Sequence, residues 1–250
     1  MGPKIREYYL RTLSFVSSAL QLGIVCLVTT GAHAQLSSDH PSWQIGGFGA
    51  GGFTPDYEIH PPPNDTFGLN YQEEVKFFSA GLEVGRMLAS AHGYGFLRGR
   101  PEAVIDVVPY WEVDEPRQTD TITTNIFPGA ILTGTFTGYK EHGLSITPLP
   151  FRWNFMAHDS SRFVPSAQFG LGLLWTPQNF PQGAGMIPGT HTSQINFLPQ
   201  LGVGESIFVT KKQSLNFGVS GIHVTSWGLG EYNPGVNAIV QITVGYSWWK

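Results

Sequence analysis

The stretch SQINFLPQLGVGESIFV, Ser193 to Val209, alternates from residue to residue. Ile195, Phe197, Leu201, Val203 and Ile207 take one side of an extended chain, and Gln194, Asn196, Gln200, Gly202 and Ser206 take the other. Period-2 alternation over a run this long is the mark of a strand with one apolar and one polar face. The preceding stretch, RFVPSAQFGLGLLWT from Arg162 to Thr176, repeats it. There Phe163, Ala167, Phe169, Leu171, Leu173 and Trp175 oppose Ser166, Gln168, Gly170 and Gly172.

Working outward from this pair, six further alternating segments run approximately from Trp43 to Phe53, Lys76 to Leu88, Gly95 to Val113, Leu144 to Met156, Ser214 to Ser226 and Asn237 to Trp249. No helical periodicity longer than a turn follows Gln35. The connections are long after the first, third and fifth segments, short after the second, fourth and sixth, and intermediate after the seventh. Several segments reach the roughly ten residues that a tilted strand needs to cross a bilayer. Short turns at one end and long loops at the other are the connectivity of a membrane barrel with both termini on the periplasmic side. The expected fold is therefore all-β, an eight-stranded antiparallel transmembrane (outer-membrane) β-barrel with long extracellular loops.

Charge agrees with that inversion. Only 13% of the 250 residues are charged, against roughly 25% in soluble domains. In the third segment Arg98, Arg100, Glu102, Asp106 and Glu112 oppose the apolar face, and Glu83 of the second takes the equivalent inward place, so these charges are expected to pair inside the barrel. Pro109, Pro148, Pro165 and Pro199 fall within predicted strands, where each removes a ladder donor and calls for a bulge or a strand end.

The first 34 residues read as a secretory signal. Lys4, Arg6 and Arg11 precede an apolar run from Leu13 to Val28, and Ala32-His33-Ala34 forms an A-x-A cleavage site before a single barrel domain at 35–250. Cys26, the only cysteine, lies inside that run, so the exported chain has no disulfide to stabilise it. Cleavage removes three basic residues and Glu7, leaving eleven basic against seventeen acidic and a net charge of −6, which makes nucleic acid an unsuitable partner. Closure of the backbone ladder is the expected substitute for cross-links. The ending Tyr246-Ser247-Trp248-Trp249-Lys250 resembles the aromatic terminal strand of outer-membrane proteins, with Lys250 as a departure.

Chemistry concentrates near the C-terminus. On the seventh segment Leu215, Phe217, Val219, Gly221, His223 and Thr225 share a face, with Asn216, Ser220 and Ser226 opposite, so a base and a hydroxyl sit together on the apolar side. Asn233-Pro234-Gly235 introduces the eighth segment. The residues His223, Thr225, Ser226, Asn233-Pro234-Gly235 and Asn237 resemble the pattern of the PagL-type lipid A 3-O-deacylases: His-x-Ser-Asn near the end of the penultimate strand, Asn-Pro-Gly seven residues on, and an acidic residue two past the glycine. The resemblance covers about the last thirty-five residues in motif and the exported chain in architecture. It implies an outer-membrane barrel that cleaves an ester-linked acyl chain from lipopolysaccharide, with His223 as general base, Thr225 at the nucleophile position, Asn237 at the position of the acid that orients the histidine, and Asn233 in the oxyanion hole. It implies lipid A of the outer leaflet as partner and no cofactor; a homodimer stays open.

Three positions depart from that pattern. Thr225 replaces serine and adds a methyl group beside the attacking oxygen. Ser226 replaces asparagine and reaches the histidine face only through a bulge. Asn237 replaces the acid; its amide oxygen can accept a hydrogen bond from imidazole but brings no charge. Glu231 is a nearby alternative acid. A non-catalytic barrel with a structural or recognition role is the alternative reading, and a soluble secreted β protein a third. Gly47, Gly49 and Gly52 fit a dinucleotide-type glycine spacing but run into Thr54-Pro55 rather than a helix, and the remaining histidines lack metal-ligand spacing.

Overall fold

Alternation becomes a closed wall in the computed structural model, which describes residues 43–54, 67–69, 75–115, 118–124, 131–136, 138–148, 150–156, 161–180, 193–225 and 236–250. The expected signal segment lies outside these. In chain order the strands are β1 (Trp43–Phe53), β2 (Phe67–Leu69), β3 (Lys76–Met87), β4 (Gly99–Glu115), β5 (Gln118–Thr124), β6 (Ile131–Phe136), β7 (Tyr139–Thr147), β8 (Phe151–Phe155), β9 (Phe163–Phe180), β10 (Ser193–Thr210), β11 (Gln213–Val224) and β12 (Val236–Trp249). β7 and β8 are two halves of one wall strand, separated at Pro148 and Pro150, and both pair with β4 and β9. Counting them as one, eight antiparallel strands follow one another around the ring. The ring closes where β12 meets β1, with Gln44 opposite Trp249, and β9 continues into β10. β2, from the long connection after the first segment, and β5 and β6, from the one after the third, form a separate three-stranded sheet that the sequence reading did not separate from the loops.

Pro109, Pro148 and Pro199 mark irregularities, whereas Pro165 pairs with Glu205 inside β9 with no register shift there. Pro109 lies in the register shift of β4 between Val108 and Trp111, where the strand carries residues without a partner on β7. That bulge corrects one expectation. Beyond it the parity of β4 is reversed, so Trp111 and Val113 enter the interior while Glu112 turns outward to His142 (Nδ1–Oε2 3.5 Å) and Lys140 (Nζ–Oε1 3.9 Å). A second correction concerns Arg98. A 3-10 turn at Gly95–Leu97 delays the third segment, and Arg98 sits before β4, donating from Nη1 to the Met156 carbonyl at 3.2 Å. Gly93 and Gly95 of this turn have φ of 93° and 58°, the left-handed region where a side chain would be strained.

The interior is layered. At the long-connection end Phe77, Trp111, Phe180, Leu174, Leu198 and Ile239 belong to an apolar cluster. At the short-turn end Met87, Met156, Val164, Phe208 and Trp249 form another. Between them lies a polar network centred on Arg152. Its guanidinium grips both oxygens of Glu83, with Nη1–Oε1 at 2.9 Å, and approaches Glu102 Oε2 at 3.5 Å, while Nε donates to Gln168 Oε1 at 3.1 Å. Gln44 and Asn154 extend the network, to Glu83 and Ser247 and to Glu102 respectively. Arg100, Glu102, Asp106 and Glu83 thus take the inward places that alternation assigned them. Side chains outside are apolar: Leu82, Ile105, Val107, Leu171, Leu201, Val203 and Val244 are all exposed.

Candidate functional site

The end of β11 carries the pair of interest. Leu215, Phe217 and Val219 are exposed on the outer face, and Ser214 and Val224 are buried on the inner one. His223 and Thr225 continue the outer series and are each half-buried. Ile222 and Val224 point inward against the apolar layer, which anchors this end of the strand. Thr225 is held beyond the ladder by a two-sided bridge to β10, Phe197 N donating to Thr225 O at 2.6 Å and Thr225 N to Phe197 O at 3.0 Å. Gln200 pairs with Ile222 and Phe197 with Thr225, so Pro199 stands across from His223. A proline there cannot donate to β11, which accounts for the separation of the Thr225 bridge from the continuous ladder.

On the other flank, Ile222 pairs with Ile239 and Val224 with Val236. The register therefore shifts at His223, and Asn237 and Ala238 both face that one residue across the β11–β12 seam. This bulge brings Asn237 to the register position beside His223 although fourteen residues separate them in sequence. Gly221 lies on the outer face one step inward from His223. A Cβ there would meet only the Leu201 carbonyl oxygen at 4.0 Å, so the surface beside the histidine is open. Ser226, Glu231 and Asn233 lie outside the described residues.

Of the expected site, then, His223, Thr225 and Asn237 come to neighbouring backbone positions at the outer rim. The signals missed in the sequence were Pro199, whose role as a ladder break beside His223 depends on strand pairing, and Arg152, the cation of the interior network. Arg152 shares parity with Asn154 opposite Phe151, Trp153 and Phe155, so its inward direction was legible; its partners were not. Among the described residues no group of three or more histidine, cysteine, aspartate or glutamate side chains has the arrangement of a metal site.

These features define a class: a closed eight-stranded antiparallel β-barrel with an apolar band outside and a charged network between two apolar layers inside, bearing a histidine and a threonine on its outer face. No protein-family model matches the sequence, and no curated protein matches it. Among solved structures the chain is similar to the outer membrane enzyme PagL, at 16% identity over 80% of this chain and 97% of that one with a TM-score of 0.43. It is also similar to the outer membrane protein OprG from Pseudomonas aeruginosa, at 12% identity over 88% and 98% with a TM-score of 0.44.

Proposed function

We propose that the protein is an outer-membrane barrel that hydrolyses an ester-linked acyl chain of a lipid A-type glycolipid. The observation that carries this reading is the shared outward face of His223 and Thr225, at the long-connection end of the apolar band formed by Leu215, Phe217 and Val219. An apolar exterior around a charged interior is the inverse of a soluble β protein and supports immersion in a bilayer. With the start of β1 and the end of β12 at the short-turn side, the pair then lies at the height of the outer leaflet, where an acyl ester reaches it sideways.

In this mechanism His223 accepts the Thr225 hydroxyl proton as the oxygen attacks the ester carbonyl. Asn233 donates to the developing oxyanion. Collapse of the tetrahedral species releases the sugar hydroxyl, protonated by His223, and leaves an acyl-threonine that water cleaves with the same base. Asn237 orients the imidazole through its amide oxygen. Because an amide leaves the imidazolium uncompensated, the reaction is slow compared with one assisted by a carboxylate; in a serine protease triad the acid-to-amide change costs about 10⁴ in turnover.

That same Asn237 favours a second reading, a barrel that kept the scaffold and lost catalysis. Mass spectrometry of lipid A after incubation with the refolded protein separates the two. Loss of one acyl mass with the unmutated protein and none with His223→Ala is the expected result. Intact lipid A in both selects the non-catalytic barrel.

A further inference from the structure

The short-turn rim of the barrel carries basic side chains along one continuous arc. Arg162, just before β9, exchanges hydrogen bonds with Phe208 on β10, its Nε donating to the Phe208 carbonyl at 3.0 Å and Phe208 N donating to the Arg162 carbonyl at 2.9 Å. The β10–β11 turn follows with Lys211 and Lys212, both exposed, and the Lys212 carbonyl accepts from Trp249 N at 2.8 Å. Lys250 and Trp43 are joined by a two-sided backbone bridge, and Trp43 pairs with the exposed Arg86 of β3. Arg162, Lys211, Lys212 and Arg86 thus follow one another around the rim.

Acids are placed elsewhere. Among the described residues Glu83 and Glu102 belong to the interior network of Arg152, and Glu205 stands further along β10, opposite Phe217. Asp159, in the β8–β9 connection, lies outside the described residues, and Lys250 brings a carboxylate with its ammonium. The long-connection end differs: Lys140 meets Asp114 at 3.1 Å and Glu112 at 3.9 Å, and Lys76 stands across from the same Asp114. The arc also borders apolar surface. Trp43, Leu88 and Trp248 are exposed beside it, and the turn after β3 exposes Tyr94, Phe96 and Leu97. Arg86 lies over the Trp43 ring, Cζ 5.2 Å from its centroid, which takes up the face of the guanidinium and leaves its N–H edge for an anion. A ligand that matches both parts is amphiphilic, with an anionic head against the bases and acyl chains against the apolar band.

We propose that this arc is a binding surface for anionic phospholipids, whose phosphodiester heads are held by Arg86, Arg162, Lys211 and Lys212 while their chains lie along the barrel exterior. The proposal rests on immersion of the barrel in a bilayer and not on ester hydrolysis. It concerns the leaflet opposite the one that His223 and Thr225 meet.

The test refolds the protein into phosphatidylcholine vesicles carrying a trace of spin-labelled phosphatidylglycerol or of spin-labelled phosphatidylcholine, and compares the fraction of each that the barrel immobilises. Phosphatidylglycerol is expected to be held in preference, by up to about fivefold at a position contacted by one base, and added salt weakens the preference. Arg86→Gln combined with Lys211→Gln and Lys212→Gln removes most of it. Lys76→Gln combined with Lys140→Gln, at the other end of the barrel, leaves it in place. Equal restraint of the two lipids by an inserted barrel overturns the proposal alone, and would mean that the arc meets an acidic partner in the aqueous phase or none. An undiminished preference in the first variant, or its loss in the second, overturns it too. A chain that inserts into no vesicle overturns the bilayer reading along with it. If the triple variant does not refold, Lys211→Gln with Lys212→Gln decides, and the proposal requires a partial loss.

Discussion

Arg152 and Glu83 meet inside the barrel as a two-pronged ion pair, one residue from β8 and the other from β3, with β4 between them. Their side chains are only 12% and 14% exposed, so water contributes little to screening the pair. Removing the cation leaves Glu83 and Glu102 facing each other across a low-dielectric space. Arg152→Ala is therefore expected to destabilise the barrel by roughly 3 to 5 kcal/mol. Arg152→Lys keeps the charge but not the fork geometry and falls between the two. Urea unfolding from vesicles, followed by tryptophan fluorescence, measures both.

Close packing of the wall sets a second expectation. A Cβ on Gly81 would lie 2.7 Å from the Phe48 ring and 2.8 Å from the Val107 carbonyl oxygen, whereas one on Gly49 meets nothing within 4 Å. Gly81→Ala should cost about 1 to 3 kcal/mol through overpacking. Gly49→Ala should stay within about 0.5 kcal/mol of the unmutated protein. Comparing the two variants by heat-modifiable gel mobility reads the contrast directly.

Immersion in a bilayer predicts an asymmetry between lipid and detergent. Leu201 on β10 is 69% exposed on the outer face. In phospholipid vesicles Leu201→Arg should lose about 2 to 4 kcal/mol if it lies near the bilayer midplane. In a detergent micelle, which deforms around the charge, the penalty should be smaller. Equal stability of mutant and parent in vesicles would count against a membrane-embedded β10.

For the outer-rim site, the departures from the deacylase pattern are themselves variants to reverse. Thr225→Ser removes the methyl beside the attacking oxygen and should raise the rate of acyl release. Asn237→Asp restores charge opposite His223 and should raise it further, by up to roughly 10⁴ if the full contribution of an orienting acid is recovered. Quantifying released fatty acid from lipid A by mass spectrometry checks both. A barrel that remains silent with the two changes combined has no such hydrolytic site.

Much of the fold was legible because period-2 alternation is a local property. The first segment, Trp43 to Phe53, coincides with β1, and β10 exceeds its predicted end by one residue, Thr210. The outward direction of His223 and Thr225, and the inward direction of Glu83, Arg100, Glu102 and Asp106, needed only residue parity. Pairing was beyond that reach. Glu112 has the inward parity of its segment, but the bulge at Val108–Trp111 reverses the count, and bulges depend on the neighbouring strand. The irregularity that sets Asn237 against His223 likewise belongs to the β11–β12 seam rather than to either strand.

By itself the sequence determined the eight wall segments and, away from bulges, their faces, since both follow from the spacing of apolar residues along an extended backbone. Only the tertiary structure decided which residues meet across strands. It joined Arg152 to Glu83, set Asp106 directly across from Glu83, and placed Pro199 and Asn237 on either side of His223. Those outcomes depend on register and closure, which are settled when distant segments share one ladder of hydrogen bonds.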